Sequence, residues 1–363
     1  MERYNNIIIL DIGTAFTRFG KLGVDTEPKE IPSVLGYDVL SAYRVLLGNN
    51  IIGKIAFLKV VWPIYEGEVR DWQSWKLLVE EIIKNILNIE PSDTFVVIIE
   101  PFKSRMRDRI RKTEILLEEI GIRGVYFITQ VFASLYASGM TSGIIIDLSE
   151  SESYIVPIIE CKAVGDGIRF LTITGSYMSK QLFLVLENKG IYISERISRV
   201  IARDIKEKTF YVSLDPSAEV QKYMVNPRES SAYYFLPDGQ MVEIGEERFL
   251  IPETLFYYGG LIRKIGEALD AIGTKDRKRV LGNIVLSGGT TCLKNLRERI
   301  RQEMAKSLEE HDYKLLEIKS SKRGDLTPYF GAYRLSQILK QRGGFATLPQ
   351  WREIGINVVL RMP

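Results

Sequence analysis

The sequence predicts an α/β fold assembled from two copies of one strand–turn–strand unit. Three observations carry this. Ile7–Gly20 (IIILDIGTAFTRFG) holds four apolar residues, Asp11, a small Gly13-Thr14 turn and a second alternating stretch from Phe16 to Phe19. Gly143–Ile158 (GIIIDLSESESYIVPI) repeats that form with Asp147 in the place of Asp11. Elsewhere short apolar runs alternate with segments of helical spacing. Two copies of one hairpin imply two lobes with a cleft between them.

The remaining elements follow from local pattern. Trp75–Ile89 has apolar residues at helical spacing, and Thr94–Ile99 is a buried strand closed by Glu100-Pro101. Lys103–Ile120 is a second helix opening on KSRMRDRIRK. That charge reads as a solvated face, or as a docking face for an acidic partner or lipid head group. Gly48-Asn49-Asn50 signals a turn, and Phe57–Ile64 is an apolar run broken by Trp62-Pro63. Val125–Ile128 is a strand, and Gln130–Ala137 a helix ending at Ser138-Gly139. After the second hairpin come the strand Phe170–Ile173, the helix Ser176–Asn188 and the charged helix Ile193–Phe210. Tyr234–Arg248 reads as a hairpin around Pro237-Asp238-Gly239. Leu261–Ile272, Lys275–Leu281, Lys294–Ser307 and Tyr329–Leu339 read as helices, and Asn283–Gly289 as a third apolar strand ending in glycines.

Composition narrows the function. The chain has 363 residues, 45% hydrophobic and 26% charged, as in an ordinary globular protein of two domains or one large bilobed one. Lys plus Arg number 49 against 46 acidic residues, with no long block of one sign, which argues against direct nucleic-acid binding. Cys161 and Cys292 match no metal or disulfide framework and suit a reducing cytoplasm. No apolar run reaches the length of a membrane span, and the apolar stretch at the N-terminus is short for a signal peptide. One histidine, His311, in the polar stretch EEHDY, excludes a poly-His metal site.

A carboxylate at a strand end beside a Gly/Thr turn suits a phosphate and its metal, because N–H groups and a hydroxyl face the anion while the carboxylate faces the cation. A plain hairpin in a buried sheet is the alternative reading of Asp11–Thr14.

Longer motifs then point further. IPSVLG (Ile31–Gly36), WPIYEGEVRDW (Trp62–Trp72), SLYASG (Ser134–Gly139), RDIKEKTFYVSLD (Arg203–Asp215), LPDGQMVEIGEERF (Leu236–Phe249) and VLSGGTT (Val285–Thr291) resemble, in that order, actin and the actin-related proteins. The likeness runs from Ile7 to about Leu339. It implies a duplicated, ribonuclease-H-like two-lobed fold with nucleotide in the interlobe cleft. Residues 1–137 and 325–363 would form the first lobe, with a small outer subdomain at about 33–62. Residues 138–324 would form the second, with an outer subdomain at about 175–254. The implied cofactors are ATP or ADP with Mg2+.

Carried over residue by residue, Gly13, Thr14, Ala15 and Arg18 match the first phosphate loop, Arg18 standing for the family's lysine. Asp11 and Asp147 match carboxylates that hold the metal through water, and Gln130 the residue that orients the attacking water. These three are the implied catalytic residues. Ser149 and Glu150 fall in the second phosphate loop, and Gly175, Arg203, Lys206, Glu207, Gly288, Gly289 and Thr290 on the nucleoside side. Without the resemblance, Lys206 and Glu207 read as a surface ion pair.

Departures accompany the matches. The second loop, Leu148-Ser149-Glu150-Ser151, lacks the family's glycines, and Glu150 replaces an aspartate. Ala15 replaces a glycine and Leu293 an aromatic residue. Tyr154 and Glu66 stand where actins carry histidines. ATP binding with slow hydrolysis is therefore expected. The stretch between Gly36 and Gly48 is short, and YYGG replaces a longer apolar plug before Leu261. The resemblance implies a cytoplasmic, cytoskeletal, filament-forming homologue with self-association or actin-binding partners. The alternative is a non-polymerising or capping actin-related subunit of a larger complex, dynactin-like or chromatin-remodelling-like. A sugar or acetate kinase on the same fold is a third reading, disfavoured by the actin-like segments between the motifs.

Overall fold

Two apolar central strands organise the molecule. The computed structural model describes residues 4, 6–38, 45–48, 51, 58–193, 195–360 and 362. They fall into two compact units, Met1–Met140 with Leu326–Pro363, and Thr141–Asp325.

In the first unit, β1 (Asn6–Ile12), β2 (Phe16–Lys21) and β3 (Lys29–Pro32) run antiparallel in succession. On the other side of β1, β4 (Thr94–Glu100) and β5 (Gly124–Thr129) run parallel to it, and the edge strand Ala346–Thr347 closes the sheet. All seven residues of β4 are buried, as a strand covered on both faces requires. Alternation sends Ile8 and Leu10 to one face, where they meet Trp75, Leu78 and Leu116. Ile7 and Ile9 go to the other, against Ala133, Tyr329 and Ala332. Each of these wholly buried strand side chains contributes about 1.5–3 kcal/mol.

Two helices cover the first face. In α1 (Trp72–Glu80), Asp71 caps the start by accepting the Ser74 N–H, and a wider turn carries the helix on through Glu81–Ile86. In α2 (Met106–Glu114), a similar extension through Ile115–Ile120 ends at the left-handed Gly121. The other face carries α3 (Gln130–Ser138) and the long helix Thr327–Arg342, which lie in backbone contact. A Cβ on Gly331 would run into the Ala133 carbonyl oxygen. Gly331→Val is therefore expected to lower stability by about 2–3 kcal/mol, read as a lower urea midpoint at unchanged slope. A midpoint within error of the parent would refute the contact.

The second unit repeats the plan. β6 (Gly143–Leu148) and β7 (Ser153–Ile159) form the hairpin, extended by β8 (Lys162–Ala163) and β9 (Arg169–Leu171), both antiparallel to β7. β10 (Ile284–Ser287) and β11 (Ile318–Lys319) run parallel to β6 on its far side. Helices α4 (Gly175–Asn188) and α5 (Glu195–Thr209) pack beside this sheet. The fold is thus mixed α/β with one hairpin-plus-parallel-strand plan used twice.

Several expectations need correction. The basic helix begins at Met106, and its charge is not simply solvated: Arg109 and Lys112 are buried and both bind Glu100. The hairpin at 234–248 is shorter, Ala232–Phe235 with Met241–Ile244, because Glu247 opens a helix to Tyr257. A helix at Pro216–Val225, capped by Asp215, and another at Leu348–Ile354, opened by a Thr347/Gln350 capping box, were not read from the sequence. Asn49, Asn50 and Phe57, and most of the stretch between Gly36 and Gly48, lie outside the described residues. Among the described residues no helix is long and apolar enough to cross a membrane.

Candidate functional site

In the first unit, two of the expected residues lie at the carboxyl ends of parallel strands, where α/β sheets present ligands. Asp11 ends the buried part of β1 and Gln130 follows β5 directly; Glu100, not a candidate from the sequence, ends β4 between them. The register of three strands aligns Asp11, Arg18 and Glu30 in one row. Arg18 Nε donates to Glu30 Oε2 at 2.6 Å, and its Nη1 lies 3.6 Å from Asp11 Oδ2. The guanidinium is therefore directed at two carboxylates along the sheet, an arrangement that a point-charge lysine would not make.

The turn after Asp11 is closed by the Gly13 N–H donating to the Phe16 carbonyl at 3.0 Å, and the Ala15 carbonyl accepts the Ser33 N–H. The Thr14 hydroxyl accepts the Gly67 N–H at 3.0 Å. That N–H belongs to a tight turn between Ile64–Tyr65 and Glu68–Val69, with Glu66 at φ 51° and Gly67 at φ 78°. Two successive positive φ values define a twist-matched hairpin turn, and glutamate is an uncommon occupant of the first position.

In the second unit, another row crosses the sheet: Phe170, Tyr154, Asp147 and Ser287 lie at matched positions on β9, β7, β6 and β10. Asp147 is wholly buried. The Ser149 hydroxyl donates to its Oδ1, and the Ser287 hydroxyl to its Oδ2 at 2.9 Å. The Tyr154 phenol, also buried, donates to Glu152 Oε2 at 2.8 Å and stands edge-on to the Phe170 ring. The position at which the resemblance implies a histidine thus holds a hydroxyl already turned to a carboxylate.

The second loop is tied down. Its turn closes through the Ser149 N–H donating to the Glu152 carbonyl, and none of residues 148–152 takes a positive φ. The first N–H groups of α4, from Gly175 and Ser176, donate to the Ser149 and Glu150 carbonyls at 3.0 and 2.8 Å. Lys206 of α5 donates to Glu150 Oε2 at 2.9 Å and to the Gly175 carbonyl at 2.8 Å. Lys206 and Glu207 are therefore not the surface pair that their adjacency suggests. Arg203 is the cation beside Glu207, 4.0 Å away and one helical turn earlier. The protein surrounding Glu207 pushes its carboxyl above the ordinary range, against the pull of Arg203 and Lys206.

The glycines after β10 are used differently from one another. Gly288 has φ 88°, and a Cβ there would lie 2.6 Å from the Leu148 backbone. Gly289 has open space in that direction, and Thr290, its neighbour in a short helical turn, is buried. Asp325 receives a two-pronged contact from Arg323, at 3.0 and 2.9 Å. Ser287, Glu152 and Glu30 were not named from the sequence. Strand register shows Ser287 and Glu30, and the Tyr154 hydrogen bond shows Glu152, although Ser287 sits inside the VLSGG motif.

Among the described residues no three His, Cys, Asp or Glu side chains converge as a direct metal cage. Single carboxylates such as Asp11 and Asp147, each fixed by neighbours, would suit holding a magnesium ion through its water shell.

Comparison with known proteins now adds the family. The family model described as Actin matches residues 2–361. Actin-related protein 2 of Schizosaccharomyces pombe is 27% identical over 380 aligned residues, 97% of each chain. An actin-like protein of Neurospora crassa is 30% identical over 84% of each chain, and centractin of Saccharomyces cerevisiae 28% over 82% of each. The chain belongs to the actin family.

Proposed function

We propose that this protein is a nucleotide-holding actin-related subunit that takes a fixed place beside other actin-family chains and turns ATP over slowly. Sequence motifs alone favour a self-polymerising homologue. The similarity to actin-related protein 2 and centractin supports the alternative instead.

One observation carries the chemical half of this reading. The second loop, without glycine and bonded to α4 and α5, is shaped for holding, while the Tyr154 phenol beside Asp147 is a weak proton acceptor already engaged with Glu152. In this reading Gly13, Thr14, Ala15 and Arg18 with Ser149 and Glu150 face the phosphates. Gly175, Arg203, Glu207, Gly288, Gly289 and Thr290 serve the nucleoside, with Lys206 bonded to Glu150 of the second loop; Gln130 orients water, and Asp11 and Asp147 orient the waters of Mg2+. The bound ion would neutralise phosphate charge. The setting is cytoplasmic and cytoskeletal. Shortening of the segment before Leu261 leaves Tyr257 and Tyr258 exposed, two aromatic anchors suited to a protein partner.

The test joins three measurements. ATP with Mg2+ raises the melting temperature, phosphate release stays far below the rate of filament actin, and light scattering with negative-stain imaging shows no filaments at high concentration. Two-stranded filaments would reinstate the self-polymerising reading. Rapid phosphate release would refute slow turnover.

A further inference from the structure

We propose that Lys206 is a positioning residue: paired with Glu150, it fixes the glycine-free second loop and acts on a nucleotide through that loop, not by touching it. This rests on the reading above that the loop faces a nucleotide.

Three independent features meet here. The first is the ion pair itself. Lys206 is buried, with only 6% of its surface exposed, and two of its three N–H donors are spent on Glu150 Oε2 and the Gly175 carbonyl. A buried ammonium neutralised in this way has little charge left for a phosphate. The second is packing. A Cβ at Gly175 would collide with the Glu150 carboxylate and lie 3.0 Å from Lys206 Nζ. The absent side chain at 175 and the extra methylene of glutamate at 150 are therefore matched, since an aspartate would stop about 1.5 Å short. The third is backbone anchoring, in which the start of the 14-residue helix α4 takes the carbonyls of Ser149 and Glu150.

Phosphate loops usually gain their shape from glycine, whose φ is free, and are ordered further by the anion. Here residues 149–151 keep ordinary backbone angles, and tertiary bonds hold them instead. The loop is in place before a nucleotide arrives, so binding pays less ordering entropy.

The experiment uses the full chain and its Lys206→Met, Glu150→Gln, double and Lys206→Arg variants. Hydrogen exchange of residues 148–152 and 174–178 is followed without nucleotide, and ATP affinity is measured with Mg2+. Each single substitution is expected to speed loop exchange and weaken ATP about tenfold, with the double no worse than either. Lys206→Arg, which can still reach the carboxylate, regains most of both. Losses that multiply to about a hundredfold in the double would mean that Lys206 contacts nucleotide independently, overturning the proposal. Unchanged exchange in both single variants would overturn it too. If Lys206→Met folds poorly, the near-isosteric Glu150→Gln tests the same pair. Faster exchange in a protein whose parent binds no ATP would uphold the pair's grip on the loop and defeat the nucleotide reading instead.

Discussion

Glu100→Ala is expected to lower the unfolding free energy by about 3–5 kcal/mol, among the largest effects of any single substitution in this chain. Glu100 is wholly buried at the end of β4 and accepts from Arg109 at 2.7 Å, Lys112 at 2.9 Å and the Ser104 hydroxyl at 3.1 Å. Removing it leaves two buried cations with no anion between them. Arg109 also stacks on Phe127 and donates to the Val359 and Met362 carbonyls, so the C-terminal segment loosens with it. Replacing all three charges by methionine is expected to be milder than the single change, because no uncompensated charge remains. Urea denaturation checks both, and a loss below about 1 kcal/mol for Glu100→Ala would reject the cluster's importance.

The same cluster sets a pH dependence. Burial alone would raise the Glu100 pKa, but Lys112 and Arg109 more than offset it and hold the carboxyl below its ordinary value near 4.5. A lowered folded-state pKa adds stability above the unfolded value and withdraws it as pH falls through the folded one. The stability gap between the parent and Glu100→Gln should therefore be flat at neutral pH and shrink on acidification below about 4.5. A gap that widened in acid would contradict the sign.

Asp147→Ala is expected to weaken Mg2+-dependent ATP binding about 10- to 100-fold while leaving binding in EDTA nearly unchanged. The buried carboxylate is held by Ser149 on one oxygen and Ser287 on the other, so its orientation is set before any ion arrives. Ser149→Gly removes one of these hydroxyls and frees the loop backbone; it is expected to weaken Mg2+-dependent binding in the same direction by a smaller factor. Titration calorimetry with and without Mg2+ reads both. An Asp147→Ala protein with the parent's Mg2+ dependence would remove this residue from the metal's surroundings.

Much of the fold was legible because strands buried on both faces are spelled as unbroken apolar runs, as in Ile7–Leu10 and Thr94–Ile99. Helix starts were less legible: the caps Asp71, Asp215 and Thr347 were not read as such, and Pro252 inside Glu247–Tyr257 concealed that helix and let the preceding hairpin run on too far. What could not be read was partnership across distance. Arg109 and Lys112 fell within a charged helical segment, and their anion lies on a strand ending several residues before the helix. Lys206 has an acidic neighbour in sequence, Glu207, yet bonds Glu150, 56 residues away. Asp11 and Asp147 were readable as site candidates from their strand ends alone. Ser287 and Glu152 were not, since parallel-strand register sets Ser287 beside Asp147, and Glu152 enters only as the acceptor of the Tyr154 phenol.

The first unit is built from both ends of the chain, with residues 141–325 intervening. During synthesis its sheet is therefore complete in strands β1–β5 long before its cover exists. Tyr329, Ala332 and Leu335, which bury the face carrying Ile7 and Ile9, and the edge strand Ala346–Thr347 are made only after the whole second unit. For the whole interval in which the second unit emerges, an apolar sheet face and an unpaired strand edge stand open to other chains. Ribosome-bound or truncated forms ending near Asp325 will therefore be sticky, whereas the second unit, continuous in sequence, can close on itself as soon as it is released.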